Sequence, residues 1–186
     1  EIYLDFLPAD TYLTSGIWTL TLAAGDVTDG IYDLWMPSSA IRGTDTRFLT
    51  PTPEITLTIP STASRVITVG AYDSRTNTYA AFSGRGFTWN TRQVKPDLVA
   101  PGVDILSTAA GGGYESRSGT SMAAPFVTGS CCLLMEWGIV RGNDAFLYGE
   151  KMKAYLIRGA KRLPLVTEYP DPRIGWGALC VRDSLP

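Results

Sequence analysis

The most distinctive segment of the chain is Ser118-Gly119-Thr120-Ser121-Met122-Ala123-Ala124-Pro125. It opens an apolar, alanine-rich run that continues to residue 137 and stops near Gly138. A run that is apolar on all sides is typical of a buried helix, so the sequence predicts a core helix that begins near Thr120. The side chain of Ser121 would then lie at the positive end of the helix dipole, among unpaired backbone N–H groups.

Two interpretations of Ser121 follow from this placement. As a nucleophile, it would have its own backbone N–H aimed at the oxyanion of a reacting carbonyl. Pro125 lacks an N–H, which loosens the first helical turn beside Ser121. As a structural residue, Thr120 or Ser121 would cap the helix, as serine and threonine commonly do. The spacing alone leaves both interpretations open.

Outside this segment the chain has two parts with different patterns of apolar residues. Four short runs rich in β-branched and aromatic residues, at 2–7, 17–22, 31–36 and 55–59, predict a β-rich, sandwich- or jelly-roll-like segment over residues 1–60. From residue 61 the pattern changes. A continuous apolar run at 66–71 indicates a strand that is covered on both faces, and 149–158 has the apolar spacing of a second helix. Residues 61–186 are therefore predicted to be α/β.

Composition excludes several classes of protein and of partner. The chain has 186 residues, of which 45% are hydrophobic and 18% charged, and its formal net charge is −2. These values are typical of a globular domain and argue against disorder, collagen and a coiled coil. No cluster of lysine and arginine suggests binding to nucleic acid or to an anionic membrane. The apolar run at 122–137 is too short for a confident membrane span, which favours a core helix.

The chain contains no histidine. Histidine is the side chain best suited to move protons near neutral pH, so a Ser/His or Cys/His catalytic pair cannot be completed within these residues. Any such reaction must obtain its base from elsewhere. Residue 1 is glutamate and no signal-peptide pattern follows it, so we expect the chain to be a trimmed fragment.

Several ordered blocks resemble the C-terminal half of a subtilisin-like serine protease. They are Arg65-Val66-Ile67-Thr68-Val69-Gly70-Ala71, Phe82-Ser83-Gly84-Arg85-Gly86, Ala100-Pro101-Gly102-Val103 and Gly119-Thr120-Ser121-Met122-Ala123-Ala124-Pro125. The similarity runs from about residue 61 to about 179, where Gly175-Trp176-Gly177-Ala178-Leu179 resembles the closing segment of the family. More loosely, the whole chain resembles clostridial subtilases of the Csp type, in which a jelly-roll insert interrupts the protease domain. Residues 1–60 would be the end of that insert.

The resemblance implies a mechanism and a set of site residues. Ser121 would form the acyl-enzyme during hydrolysis of a protein or peptide substrate, and its backbone N–H would form half of the oxyanion hole. Gly119 and Thr120 would shape the turn, while Ser118 and Met122 would lie near the leaving group. The triad Asp and His, and the oxyanion Asn, would belong to an N-terminal part of the same protease. No aspartate of this chain matches the triad position.

The resemblance also bears on cofactors and location. Asp97 precedes the 100–103 block at a place where some subtilisins bind a cation weakly. A single carboxylate is a poor ligand set for a hard cation, so no cofactor is predicted. The family and the low cysteine content favour a secreted, cell-envelope or spore-associated protein. A half-domain with open sheet edges is expected to self-associate.

Two other functions remain open from the sequence. The chain would be a pseudoprotease with a binding or regulatory role if the triad His or Asp were replaced. It would be a non-catalytic binding module if an exposed aromatic patch of the first segment, which contains Trp18 and Trp35, did the work.

Overall fold

A computed structural model describes residues 2–8, 10–23, 25–37, 39–89 and 91–185. The chain divides into two compact units, Glu1–Leu49 and Thr50–Pro186. The sequence predicts a division after residue 60, whereas the structure divides the chain after Leu49, so that residues 50–60 belong to the second unit. Whether the first segment is the end of a jelly-roll insert stays a prediction.

The first unit contains one helical turn, α1 (Ser39–Arg42), and its described residues form no strand. The described residues of 50–60 form none either. The prediction of four strands in residues 1–60 is therefore wrong for the described residues. A strand is held by hydrogen bonds to a lateral neighbour. In the first unit the bonds of the described residues are local, such as the one from Trp18 Nε1 to the carbonyl of Thr14.

The second unit is built on a three-stranded sheet. The described residues of this unit form the strands β1 (Val69–Asp73), β2 (Thr78–Tyr79), β3 (Gly86–Phe87), β4 (Val94–Lys95), β5 (Leu98–Pro101), β6 (Ile105–Thr108) and β7 (Tyr114–Arg117). The main sheet has the order β2-β1-β5, and β3-β4 and β6-β7 form two-stranded antiparallel pairs. β1 and β5 are parallel, whereas β2 runs antiparallel to β1. This parallel pair confirms the α/β prediction for the second part.

Helices follow the strands. α2 (Thr120–Met135) continues into a π-helical turn at Glu136–Val140, and α3 (Gly149–Arg158) and α4 (Val181–Ser184) come after it. α2 contacts both β1 and β5. The start of α2 at Thr120 and the bounds of α3 confirm the helices that the sequence predicts.

The core lies between α2 and the parallel strands. Ala71 of β1 and Leu98 and Ala100 of β5 pack with the buried face of α2 and with side chains of the 147–156 region. The buried members are Ala71, Ala80, Leu98, Ala100, Ala123, Val127, Leu134, Leu147, Met152 and Leu156. Alanines at the contact allow the helix to approach the sheet closely.

The sequence was wrong about how fully α2 is covered. Its buried residues are Ala123, Val127, Ser130 and Leu134, which recur at helical spacing and form one face. On the remaining surface, Phe126, Leu133 and Met135 are exposed. In the described part of the chain, 120–140 is the one helical stretch long and apolar enough to cross a membrane by length and composition. One face of it packs on the sheet, as in a core helix.

Candidate active site

Ser121 is the second residue of α2, and its side chain is exposed. The residue at the cap position is Gly119, and the helix start has no side-chain capping hydrogen bond. The capping interpretation of Thr120 and Ser121 is therefore not met. Across the residues that the structure describes, the Ser121 hydroxyl has no hydrogen bond to another group, which leaves its oxygen available to an external reactant.

The turn that presents Ser121 is fixed by close backbone packing at Gly102. The N–H of Gly102 donates to the carbonyl of Tyr72, at 3.0 Å, and the N–H of Gly119 donates to the carbonyl of Gly102, at 2.8 Å. A Cβ added to Gly102 would lie 2.6 Å from the Cβ of Ala71 and 2.9 Å from the carbonyl oxygen of Gly119. Only glycine therefore allows this turn to lie against the end of β1.

The first turn of α2 is chemically suited to a developing negative charge. The first four N–H groups of a helix lack helical partners, and the dipole places partial positive charge at that end. Pro125 lies inside the helix and has no N–H, so the carbonyl of Ser121 has no partner four residues on. The backbone beside the hydroxyl is thus less constrained than in an ordinary helix start.

Ser118 is held by a network that the sequence did not reveal. Its hydroxyl accepts from the backbone N–H of Asp104, at 2.9 Å, and donates to the Asp104 carboxylate, at 3.3 Å. Asp104 pairs with Arg75 at 2.8 Å, and Arg75 also pairs with Asp73 at 3.2 Å. The hydrogen bond with Arg75 holds the pKa of Asp73 below its usual value. Ser118 therefore ties the start of the Ser121 turn to the loop after β5.

The other predicted site residues surround Ser121. Thr120 and Met122 are half-buried neighbours in the same helical turn, and the N–H of Met122 donates to the carbonyl of Gly119, at 3.1 Å. The Met122 sulfur would lie 3.4 Å from a Cβ added to Gly119. The structure thus brings all five predicted residues into one turn, although Ser118 uses its side chain internally.

An open groove of about 350 Å³ borders Ser121. It is lined by Pro60, Ser61, Val66, Ile67, Thr68, Val69, Thr120, Ser121 and Ala124. One wall is the edge of β1, because β2 pairs with β1 only at Tyr72 and Asp73. The carbonyl of Thr68 accepts from the N–H of Asp97, and the N–H of Thr68 donates to the Asp97 carboxylate, so the backbone groups of Thr68 point toward β5. Successive residues of a strand point in opposite directions, so the backbone groups of Val69 face the groove.

The chain is similar in sequence to known proteases. The model of the Subtilase family matches residues 22–177 of the chain. The chain is 40% identical over 113 residues to the subtilisin-like protease SBT6.1 of Arabidopsis thaliana, covering 58% of the chain and 11% of that protein. It is 32% identical over 152 residues to the serine protease AprX of Bacillus subtilis (strain 168), covering 70% of the chain and 32% of that protein.

A solved structure shows the same likeness. The Clostridium perfringens CspB protease superposes with a TM-score of 0.72 and 53% identity, over 75% of this chain and 30% of that one. This similarity confirms the resemblance to Csp-type proteases. In each of these comparisons the chain spans a third or less of the relative's own length.

Proposed function

This chain belongs to the subtilase family, and on that premise we propose that Ser121 is the acyl-forming nucleophile of a serine endopeptidase. The observation that carries the proposal is the exposed Ser121 hydroxyl at the start of α2, which is not used as a helix cap. A serine in that position has the geometry of a nucleophile supported by a helix N-terminus.

The proposed reaction is acyl transfer from a peptide to water. Ser121 Oγ attacks the scissile carbonyl carbon while a histidine from another segment takes its proton. The oxyanion accepts a hydrogen bond from the Ser121 N–H, a kind of contact worth about 3 kcal/mol in the transition state. The C–N bond breaks as the histidine gives its proton to the leaving amine. Water, deprotonated by the same histidine, then hydrolyses the ester and releases Ser121.

The base must come from outside these residues, because the chain has no histidine. We assign it to an N-terminal part of the same protease, which would also carry the triad Asp and the oxyanion Asn. The share of each relative that the chain covers supports this assignment. Loss of a triad member lowers the rate by orders of magnitude, so the chain by itself is expected to be nearly inactive.

Two surfaces of the second unit suit the docking of that complementary part. The first is the open edge of β1 around Val69, which can accept a further strand through its backbone. The second is the exposed apolar side of α2, with Phe126 and Leu133. The first surface lines the same groove as Ser121, and the second lies on the helix that carries Ser121. A segment that covers the edge of β1 can therefore bring its histidine to the nucleophile. The same surfaces would favour self-association of the chain alone, which sedimentation over a range of concentrations would detect.

The substrate is proposed to be a protein or peptide that binds at Ser118, Gly119, Thr120 and Met122, with its leaving-group side close to Ser118 and Met122. These residues form the turn around Ser121, and backbone groups of such a turn can bind an extended peptide. The family further supports a location outside the cytoplasm, in a secreted, cell-envelope or spore-associated protein.

A fluorophosphonate probe, which reacts with activated serines, tests the proposal. It should label a complete protease that contains this chain at Ser121 and should leave the isolated chain unlabelled. Ser121→Ala should abolish both labelling and peptide hydrolysis. Ser107→Ala, at an exposed serine of β6, is the matched control and should retain both.

Other outcomes would point to the alternatives. A complete protein that carries Ser121 yet neither reacts with the probe nor hydrolyses peptides would contradict the proposal and support a pseudoprotease or a binding module. Labelling that survives Ser121→Ala would place the nucleophile elsewhere.

A further inference from the structure

Three charged side chains form a buried cluster behind the groove. The side chains of Lys95 and Asp97 are 0% and 3% exposed, and that of Lys153 is 12% exposed. The Nζ of Lys95 lies 2.8 Å from Oδ2 of Asp97, and the Nζ of Lys153 lies 2.7 Å from Oδ1. One carboxylate therefore holds two ammonium groups, one on each oxygen.

The same ammonium groups bind main-chain oxygens of the segment before β1. Lys153 Nζ donates to the carbonyls of Ser64 and Val66, both at 3.1 Å, and Lys95 Nζ also donates to Val66 at 3.1 Å. The N–H of Thr68 donates to Oδ2 of Asp97, at 2.7 Å. These bonds satisfy the buried groups, since no buried side-chain nitrogen or oxygen among the described residues lacks a partner.

Carboxylate and carbonyl oxygens gathered in this way are the ligands that a hard cation uses, at about 2.0–2.6 Å. The resemblance raised a weak cation site near Asp97, and the residues do not fit one. Both oxygens of Asp97 already hold ammonium groups. The described part of the chain also contains no group of three or more histidine, cysteine or acidic side chains that could hold a metal.

We propose that the ammonium groups of Lys95 and Lys153 take the place of a bound cation at Asp97 and fasten the groove wall beside Ser121. The wall residues Val66 and Thr68 are both held by the cluster, and both line the groove. Lys95 lies in β4 and Lys153 in α3, so the cluster joins these two elements to the segment before β1. The wall then keeps its position without metal. This inference concerns stability and does not depend on peptidase activity.

Thermal unfolding of the 186-residue chain tests the proposal. The wild-type Tm should be the same in EDTA and in calcium, sodium or choline chloride at equal ionic strength. Lys153→Met keeps the aliphatic length and removes the charge, so it should lower Tm by about 5–10 °C. Calcium or sodium, but not the bulky choline ion, should restore part of that loss by binding the oxygens that the Lys153 ammonium group no longer holds.

Lys161→Met is the matched control. Lys161 is exposed, and its Nζ lies 3.9 Å from Asp183, so its loss should change Tm little and create no response to cations. If Lys153→Met fails to fold, Lys153→Arg keeps the charge and should remain indifferent to calcium and sodium.

Three results would overturn the proposal. The first is a wild-type Tm that rises specifically with calcium or sodium, because a cation would then bind beside the lysines. The second is a Lys153→Met loss that no cation restores, and the third is a Lys153→Arg chain that becomes cation-responsive.

Discussion

The two units of the chain both contain runs of large apolar residues, but they bury these side chains to very different degrees. In Glu1–Leu49 most of the large apolar side chains that the structure describes are exposed, including Trp35 at 61%. In Thr50–Pro186, Leu98 and Leu156 are 0% exposed and pack between a parallel sheet and its helices. The difference teaches that alternating or β-branched runs form strands only where another strand supplies lateral hydrogen bonds.

The largest expected contrast comes from the same substitution made in each unit. Leu156→Ala removes a fully buried side chain and should lower the free energy of unfolding by about 2–5 kcal/mol. Leu22→Ala removes a side chain that is exposed in the first unit and should change it by less than about 0.5 kcal/mol. Chemical denaturation measures both. Equal effects would contradict the difference in burial between the two leucines.

A second contrast uses two glycines of the second unit. Gly102→Ala places a methyl group 2.6 Å from the Cβ of Ala71 and should destabilise the fold by about 1–3 kcal/mol. It should also displace the turn that carries Ser121. Gly129→Ala, within α2 and with open space around its Cβ, should stabilise the chain by up to about 1 kcal/mol. The midpoint of urea unfolding distinguishes the two, and a neutral Gly102→Ala would contradict the close packing described.

A smaller effect is expected at Asp144, which supports α3. Lys151 Nζ lies 2.7 Å from its Oδ1, and the hydroxyl of Tyr155 donates to its Oδ2 at 2.9 Å. The hydrogen bond from Lys151 lowers the pKa of Asp144. The carboxylate therefore stabilises the fold above its unfolded pKa of about 4, and this contribution is lost as the pH falls through the lower folded value.

Asp144→Asn should accordingly lower stability at neutral pH, and the gap from wild type should close as the pH falls below about 4. Tyr155→Phe removes one hydrogen-bond donor to Asp144 and should also lower stability at neutral pH, by a smaller amount. Denaturation at a series of pH values checks both. A gap that widens on acidification would mean that the sign of the pKa shift is wrong.

The sequence predicted the local structure around Ser121 better than it predicted the first unit. The 118–125 segment combines glycine, hydroxyl residues and an apolar run, so it located Ser121 at the start of α2. Local signals also found α3 and the strand after residue 66. The Arg75–Asp104–Ser118 network and the buried Lys95–Asp97–Lys153 cluster join residues far apart in the chain. Periodicity reports only which face of one element is apolar, so it could not reveal either network.

The prediction of strands in the first unit was wrong because it also rested on local sequence alone. Residues 2–7, 17–22 and 31–36 have strand propensity, and propensity does not supply a pairing partner. The burial of α2 was overestimated likewise, because an apolar composition does not say which side of a helix will be covered.

The most direct test of the account is reconstitution of the nucleophile in trans. The chain would be mixed with a separately produced N-terminal part of the same protease, and a fluorophosphonate adduct on Ser121 would be sought by mass spectrometry. We expect an adduct in the mixture, none on the chain alone, and none with Ser121→Ala. An adduct of equal yield on the chain alone would contradict it, because Ser121 would then be activated without any histidine.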